Sequence, residues 1–234
     1  MTLATIINAV CDAVGIVRPL SVINCTDQTV RALLQLAQNE GKALAARYDW
    51  PALQKDRTFT TVNAEVQTNA IPADFSRFVN GTFWNRTRKR PVAGPVPPAE
   101  WQALKATSVP AIQDVFRVVG DDVLILPAPP AGDTMAFTYV RSTWCLSPPP
   151  ASNPQTQWGS DDDEAVLPEH LHTLGIIWRF LASRGLEYAE AFRSYELEVA
   201  QEFARQGGRP VLNMAGAATG WRPQIGVPEG YWPL

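Results

Sequence analysis

From Thr2 to Gly15 the apolar side chains fall at Leu3, Ile6, Ile7, Val10 and Val14, a stripe with helical spacing, and Gly15 closes it. That spacing predicts an amphipathic helix. A connector over residues 16 to 25 leads to a second helix that Thr26 or Asp27 can cap, with Val30, Leu33, Leu34, Ala37, Leu44 and Tyr48 along it. Asp49, Trp50 and Pro51 end it.

Alternation then replaces the helical period. Arg57 to Val62 is rich in Thr and aromatic residues, Asn63 to Glu65 can turn, and Val66 to Ile71 can return, which predicts a hairpin. Val79 to Trp84 is a further strand candidate, followed by the basic turn Arg86, Thr87, Arg88, Lys89, Arg90. Pro97 and Pro98 suit the first turn of a short helix running to about Ala106. Val115 to Val119 and Val123 to Leu126 flank Gly120 to Asp122 as a second hairpin, and Met135 to Trp144 predicts a long strand.

Residues 146 to 163 carry a proline run and the acids Asp161, Asp162, Asp163, with Glu164 following, and read as an exposed loop. A third long helix is predicted from Pro168, with Leu171, Leu174, Trp178 and Leu181 on one stripe, broken at Gly185. The next carries Tyr188, Phe192, Tyr195, Val199 and Phe203 and ends at Gly207. So short a link predicts that these two lie antiparallel. After Pro210, Gly and Pro recur with Trp221, Arg222, Tyr231 and Trp232 among them, which predicts an extended arm.

The predicted fold class is therefore α+β, mainly α. An antiparallel helical bundle forms from an N-terminal and a C-terminal helix pair (1–54 and 164–207), with a small antiparallel β region inserted at 55–145, its short helix near 98–106, the loop 146–163, and the arm 208–234. The 46% apolar content supports a substantial core. A net charge of −3 gives no general reason to bind nucleic acid, so any such contact is expected to be local. The expectation is a chain made in a cytosol, with no segment apolar enough to enter a membrane.

Candidate chemistry is sparse. Cys11, Cys25 and Cys145 lack metal or redox spacing and read as reduced apolar side chains. His170 and His172 fall on different helical faces and read as solvated residues; neither sits near a nucleophile motif. The run Asp161 to Glu164 reads as a solvated lead into a helix N-terminus, set against cation ligation or carboxylate catalysis. No catalytic residue, metal site or cofactor is expected. Two features point to contacts instead. The turn Arg86, Arg88, Lys89, Arg90 projects +4, suited to an acidic subunit face or to phosphates, against the plain alternative of a solvated hairpin tip. The aromatic arm suits a partner's pockets, against the alternative of a strap over its own bundle.

Taken together, TLATIINAVCDAVGI at 2–16, TVRALLQLAQNEGKALAARYDWPAL at 29–53, FTTV at 59–62 with AIPADFSRFVNGTFWNRTRKRP at 70–91, PAEWQALKA at 98–106 and LPEHLHTLGIIWRFLASRGLEYAEAFRSYE at 167–196 resemble the head-to-tail adaptors of tailed bacteriophages. The similar group comprises tail tubular protein A-like and tail accessory factor-like subunits, and the likeness covers about residues 2 to 206. It implies a virion protein at the head–tail junction, with no enzymatic activity. It further implies a ring of twelve copies beneath the portal that extends the DNA channel and supports the next tail or nozzle protein, in genome retention and ejection. The arm would dock on the portal or a neighbouring adaptor, and the basic turn would line the channel, touching DNA without sequence preference, or meet a subunit. A tail-associated peptidoglycan-degrading enzyme, drawing on Glu164 or Glu169, and a nucleic-acid-binding assembly or regulatory protein are the alternatives.

Overall fold

The computed structural model describes residues 2–106 and 113–206. Five helices, α1 Leu3–Val14, α2 Gln28–Arg47, α3 Pro98–Ala106, α4 Glu169–Ser183 and α5 Ala189–Arg205, accompany eleven mostly short strands. In chain order these are β1 Gln54–Thr60, β2 Val66–Gln67, β3 Phe75–Phe78, β4 Trp84–Asn85, β5 Arg90–Pro91, β6 Val115–Val119, β7 Asp122–Leu126, β8 Thr134–Arg141, β9 Cys145–Leu146, β10 Pro154–Gln155 and β11 Glu164–Ala165. The α+β class is as expected. The described residues form two compact units. The first comprises the chain up to Arg57, Pro72–Phe78 and the chain from Thr138; the second comprises Thr58–Ile71 and Val79–Phe137.

In the first unit, Thr2 caps α1 by accepting a hydrogen bond from the Thr5 amide and Asp27 caps α2 through the Thr29 amide, so each helix begins at a polar side chain that pairs an orphan amide. Leu3, Ile6, Ile7 and Val10 are wholly buried, as the stripe predicts, and each such side chain contributes ~1.5–3 kcal/mol relative to exposure. The main helix packings all involve α4, which meets α5, α1 and α2. The two N-terminal helices thus share α4 as their principal neighbour. Trp178 packs on Phe192 at 5.1 Å, while His170, two turns earlier, lies within electrostatic reach of Glu202, so α4 and α5 run antiparallel.

Arg77 of β3 binds the end of α2. Its guanidinium donates to the Ala45 and Tyr48 carbonyls and to Asp49, which places a cation where the helix dipole is negative. β3 also pairs antiparallel with the C-terminal half of β8.

The segment expected as an exposed loop at 146–163 is exposed over 149–154, but it carries short paired strands and two buried residues. β9 pairs with both β10 and β11 in a three-stranded sheet, Trp158 is 3% exposed and Asp163 is 1% exposed. Proline and acid content misled the reading because Asp163 turns inward and accepts hydrogen bonds from the Gly159 and Ser160 amides at 2.6 and 2.9 Å. Gln38 of α2 completes the attachment by exchanging two hydrogen bonds with the Trp158 backbone.

In the second unit β6 and β7 form the predicted hairpin, and β2 pairs with β7. The hairpin expected between Arg57–Val62 and Val66–Ile71 does not form, because β1 runs beside β8 and β2 adds to the β6–β7 ladder. The strand expected at Val79–Trp84 is also displaced. Asn80 and Gly81 make a turn there, with Gly81 at φ 77°, where a side chain would be strained, so pairing resumes only at Trp84. Phe83 fills the centre, with ring centroids 4.6 Å from Phe116 and 5.4 Å from Phe137. Trp101 anchors α3 at 2% exposure.

Candidate interaction site

The basic turn is the connection of the β4–β5 hairpin. Asn85, wholly buried, accepts from the Arg88 amide and donates to Asp133, while Thr87 accepts from the Thr134 amide. The hairpin tip is thereby fixed to the start of β8.

These anchors correct the charge expected of the turn. Arg90 forms a two-pronged pair with Asp114 at 2.8 and 2.6 Å, and Arg88 lies 2.8 Å from Asp133. Both acids are largely buried and come from distant positions in the chain. Two of the four cations therefore hold the hairpin, and two, Arg86 and Lys89, stand exposed with no ion-pair partner among the described residues. The turn presents +2 to solvent instead of +4.

The other candidate residues are likewise placed by packing. His172 is 1% exposed, between Trp144 and Trp158 at centroid distances of 6.1 and 6.0 Å, which overturns its reading as solvated; His170 is exposed. Burial among rings pushes His172 down to about 4, because its cation would lose hydration without gaining a partner. Burial also pushes the Cys145 thiol up to about 12, so this sulfur stays protonated. Cys11, Cys25 and Cys145 are all free thiols.

The acidic run is structural as well. Asp161 accepts from the Val22 and Ile23 amides at 3.0 and 2.8 Å, and the backbone carbonyls of Asp161 and Asp163 receive the Ala4 and Leu3 amides at the start of α1. The run therefore ties the connector before α2 to the N-terminus of α1. Glu164 is part of β11, and Glu169 opens α4. No group of acids, histidines and thiols with metal-binding geometry occurs among the described residues.

A wholly buried charge that the sequence reading missed sits at the centre of the helical layer. Glu40 of α2 accepts from Arg179 of α4 and from the Tyr195 hydroxyl of α5, each at 2.6 Å. Burial, with the Glu40 charge beside it, drives the Tyr195 hydroxyl upward. Gly175 permits the approach, since a Cβ there would stand 2.2 Å from the Glu40 carboxyl. The only sequence signal was a glutamate facing the buried side of α2.

Two clefts open on the first unit. One, about 720 Å³, lies among α1, α4 and α5 and is lined by Ala9, Pro168, Thr173, Leu174 and Glu198. The second, about 250 Å³, is lined by Lys42, Ser76, Arg141, Trp144 and Thr156 among others. Trp221, Arg222, Tyr231 and Trp232 lie outside the described residues.

The candidate residues are thus taken up by internal pairs and packing, and what remains outward is a hairpin tip with two exposed cations and the two clefts, surfaces on which other proteins can be met. The sequence profile of the SU10 adaptor protein family matches residues 1–222, and the chain belongs to that family of phage head-to-tail adaptors. It is accordingly a virion protein with a structural role at the junction of head and tail, where its partners are virion components such as portal and tail proteins. The match reaches Trp221 and Arg222, farther than the resemblance read from the sequence. No curated protein matches the chain. Among the described residues no helix is long and apolar enough to cross a membrane.

Proposed function

We propose that this protein assembles as a ring of twelve copies between the portal and the next tail or nozzle protein, extends the DNA channel, and supports genome retention and ejection. The observation that carries the reading is the family match over nearly the whole chain. Geometry supports it: Arg86 and Lys89 stand on a hairpin whose other two cations are locked to Asp114 and Asp133. Charges held in this way meet an anionic surface without first paying for loop ordering. The helices around α4 serve as the rigid bundle, and the tail with Trp221, Arg222, Tyr231 and Trp232 serves as an arm that docks on the portal or on a neighbouring copy.

The test is to mix the protein with its portal and measure the mass and image of the complex, beside a chain ending at Gly208. The full chain should give a closed ring on the portal, and the shortened one should bind more weakly with its fold intact. Failure of the full chain to join the portal removes the proposal; unchanged affinity on shortening removes the arm.

A further inference from the structure

We propose that the cleft at Lys42 and Arg141 receives the acidic tip of the β6–β7 hairpin from a second copy of this chain. The contact rests on the ring reading above and supplies one of its joints.

The cleft joins two cations to hydroxyl groups. Lys42 of α2 and Arg141 at the end of β8 line it with Ser76 and Thr156, beside a wall from Ala46 and Trp144. Arg47, Arg77, Arg88, Arg90 and Arg179 all have carboxylates within ion-pair distance, whereas Lys42 and Arg141 have none among the described residues. The Arg141 Nε is buried with no hydrogen-bond partner. The buried Nε is closed to an outside partner, and it is the terminal N–H groups of the half-buried Arg141 side chain, which have no carboxylate of their own among the described residues, that a carboxylate can meet in planar, two-pronged fashion. At about 250 Å³ the cleft falls below the roughly 300–1,000 Å³ typical of small-molecule sites, and is of a size to take a side chain.

The hairpin tip is complementary to it. Val119 pairs with Asp122 across the turn Gly120–Asp121, so two adjacent carboxylates stand at the turn of the β6–β7 hairpin, whose β7 edge is covered by β2 as far as Val123. Asp121 is exposed, neither acid has a hydrogen-bond or ion-pair partner among the described residues, and Val119 beside them is 47% exposed. Carboxylates would meet Lys42 and Arg141 while Val119 meets the exposed Ala46. A duplex carries its phosphates along a broad backbone that fits such a cleft less well than a two-residue turn does. Cleft and tip each lie wholly within one compact unit, and because they are different patches the contact repeats head to tail, the kind of interface that closes into rings.

Self-association of the full chain by sedimentation equilibrium at low salt tests the contact, with Lys42→Glu, Asp121→Lys and the combined variant, and with Arg141→Gln as a second change in the cleft. Either single charge reversal should weaken association by roughly tenfold or more, Arg141→Gln should weaken it too, and the combined reversal should restore it. Circular dichroism spectra confirm that each variant is folded. Association equal in all variants, or a combined variant no better than the singles, overturns the contact and leaves the ring standing. A Lys42→Glu chain that associates normally but loses retention of duplex DNA overturns it in favour of phosphate. Absence of self-association in every arm, with a ring still forming on the portal, overturns it; absence of both removes the ring reading as well.

Discussion

Glu40 ties three helices of the layer together. Its carboxylate is wholly buried and pairs Arg179 with Tyr195, so removing it leaves a guanidinium and a hydroxyl to find other partners within the layer. Arg179 keeps 26% of its side chain exposed, so the stranded guanidinium is partly rehydrated, and Glu40→Ala should lower the free energy of unfolding in urea by about 1–3 kcal/mol. Gly175→Ala should act through the same group, so its effect and that of Glu40→Ala should fall short of adding in a double-mutant cycle. His172 supplies a pH dependence. Its ordinary value of 6.5 is lowered to about 4 by burial, so between these values the unfolded chain takes up a proton that the folded chain refuses. The contribution is complete above pH 6.5 and is lost as the pH falls towards 4, amounting to about 3 kcal/mol. His172→Phe keeps a ring between Trp144 and Trp158 and should flatten urea midpoints across that range.

At the scale of elements, the β4–β5 hairpin separates holding from contacting charges. Arg90→Ala leaves the Asp114 carboxylate, which is 3% exposed, without its partner and should destabilise by about 1–3 kcal/mol. Arg86→Ala with Lys89→Ala should change stability by less than about 0.5 kcal/mol, since neither makes an ion pair among the described residues. A large loss of stability on changing Arg86 and Lys89 would mean that they too are structural. The segment from β9 to β11 gives the complementary case. Asp163→Ala removes the acceptor for two loop amides, and hydrogen exchange should speed up at Gly159 and Ser160 ahead of the helices. Exchange unchanged there would show that the three short strands suffice to hold the loop.

For the whole molecule, adaptor function makes stability depend on partners. A chain that binds the portal only when folded gains stability by mass action, so purified portal should raise its unfolding midpoint in proportion to the logarithm of portal concentration above the dissociation constant. The chain ending at Gly208 should gain less. Equal gains would show that the contacts lie entirely in the residues before the tail.

The sequence by itself determined the elements whose signals are local. The stripe of Leu3, Ile6, Ile7 and Val10, a polar cap at Thr26 or Asp27, and the alternation around Gly120 specify α1, the start of α2 and the β6–β7 hairpin, because each depends on contacts a few residues apart. The basic turn was legible as a turn for the same reason. Tertiary structure decided the rest, where partners come from far along the chain. It chose β8 as the neighbour of β1, turned Asp163 inward within a segment that reads as loop, buried His172, and paired Arg88 and Arg90 with Asp133 and Asp114. Hydrophobic period carries no record of such pairings: a charged residue looks solvated along the chain until folding brings up the group that takes the place of water.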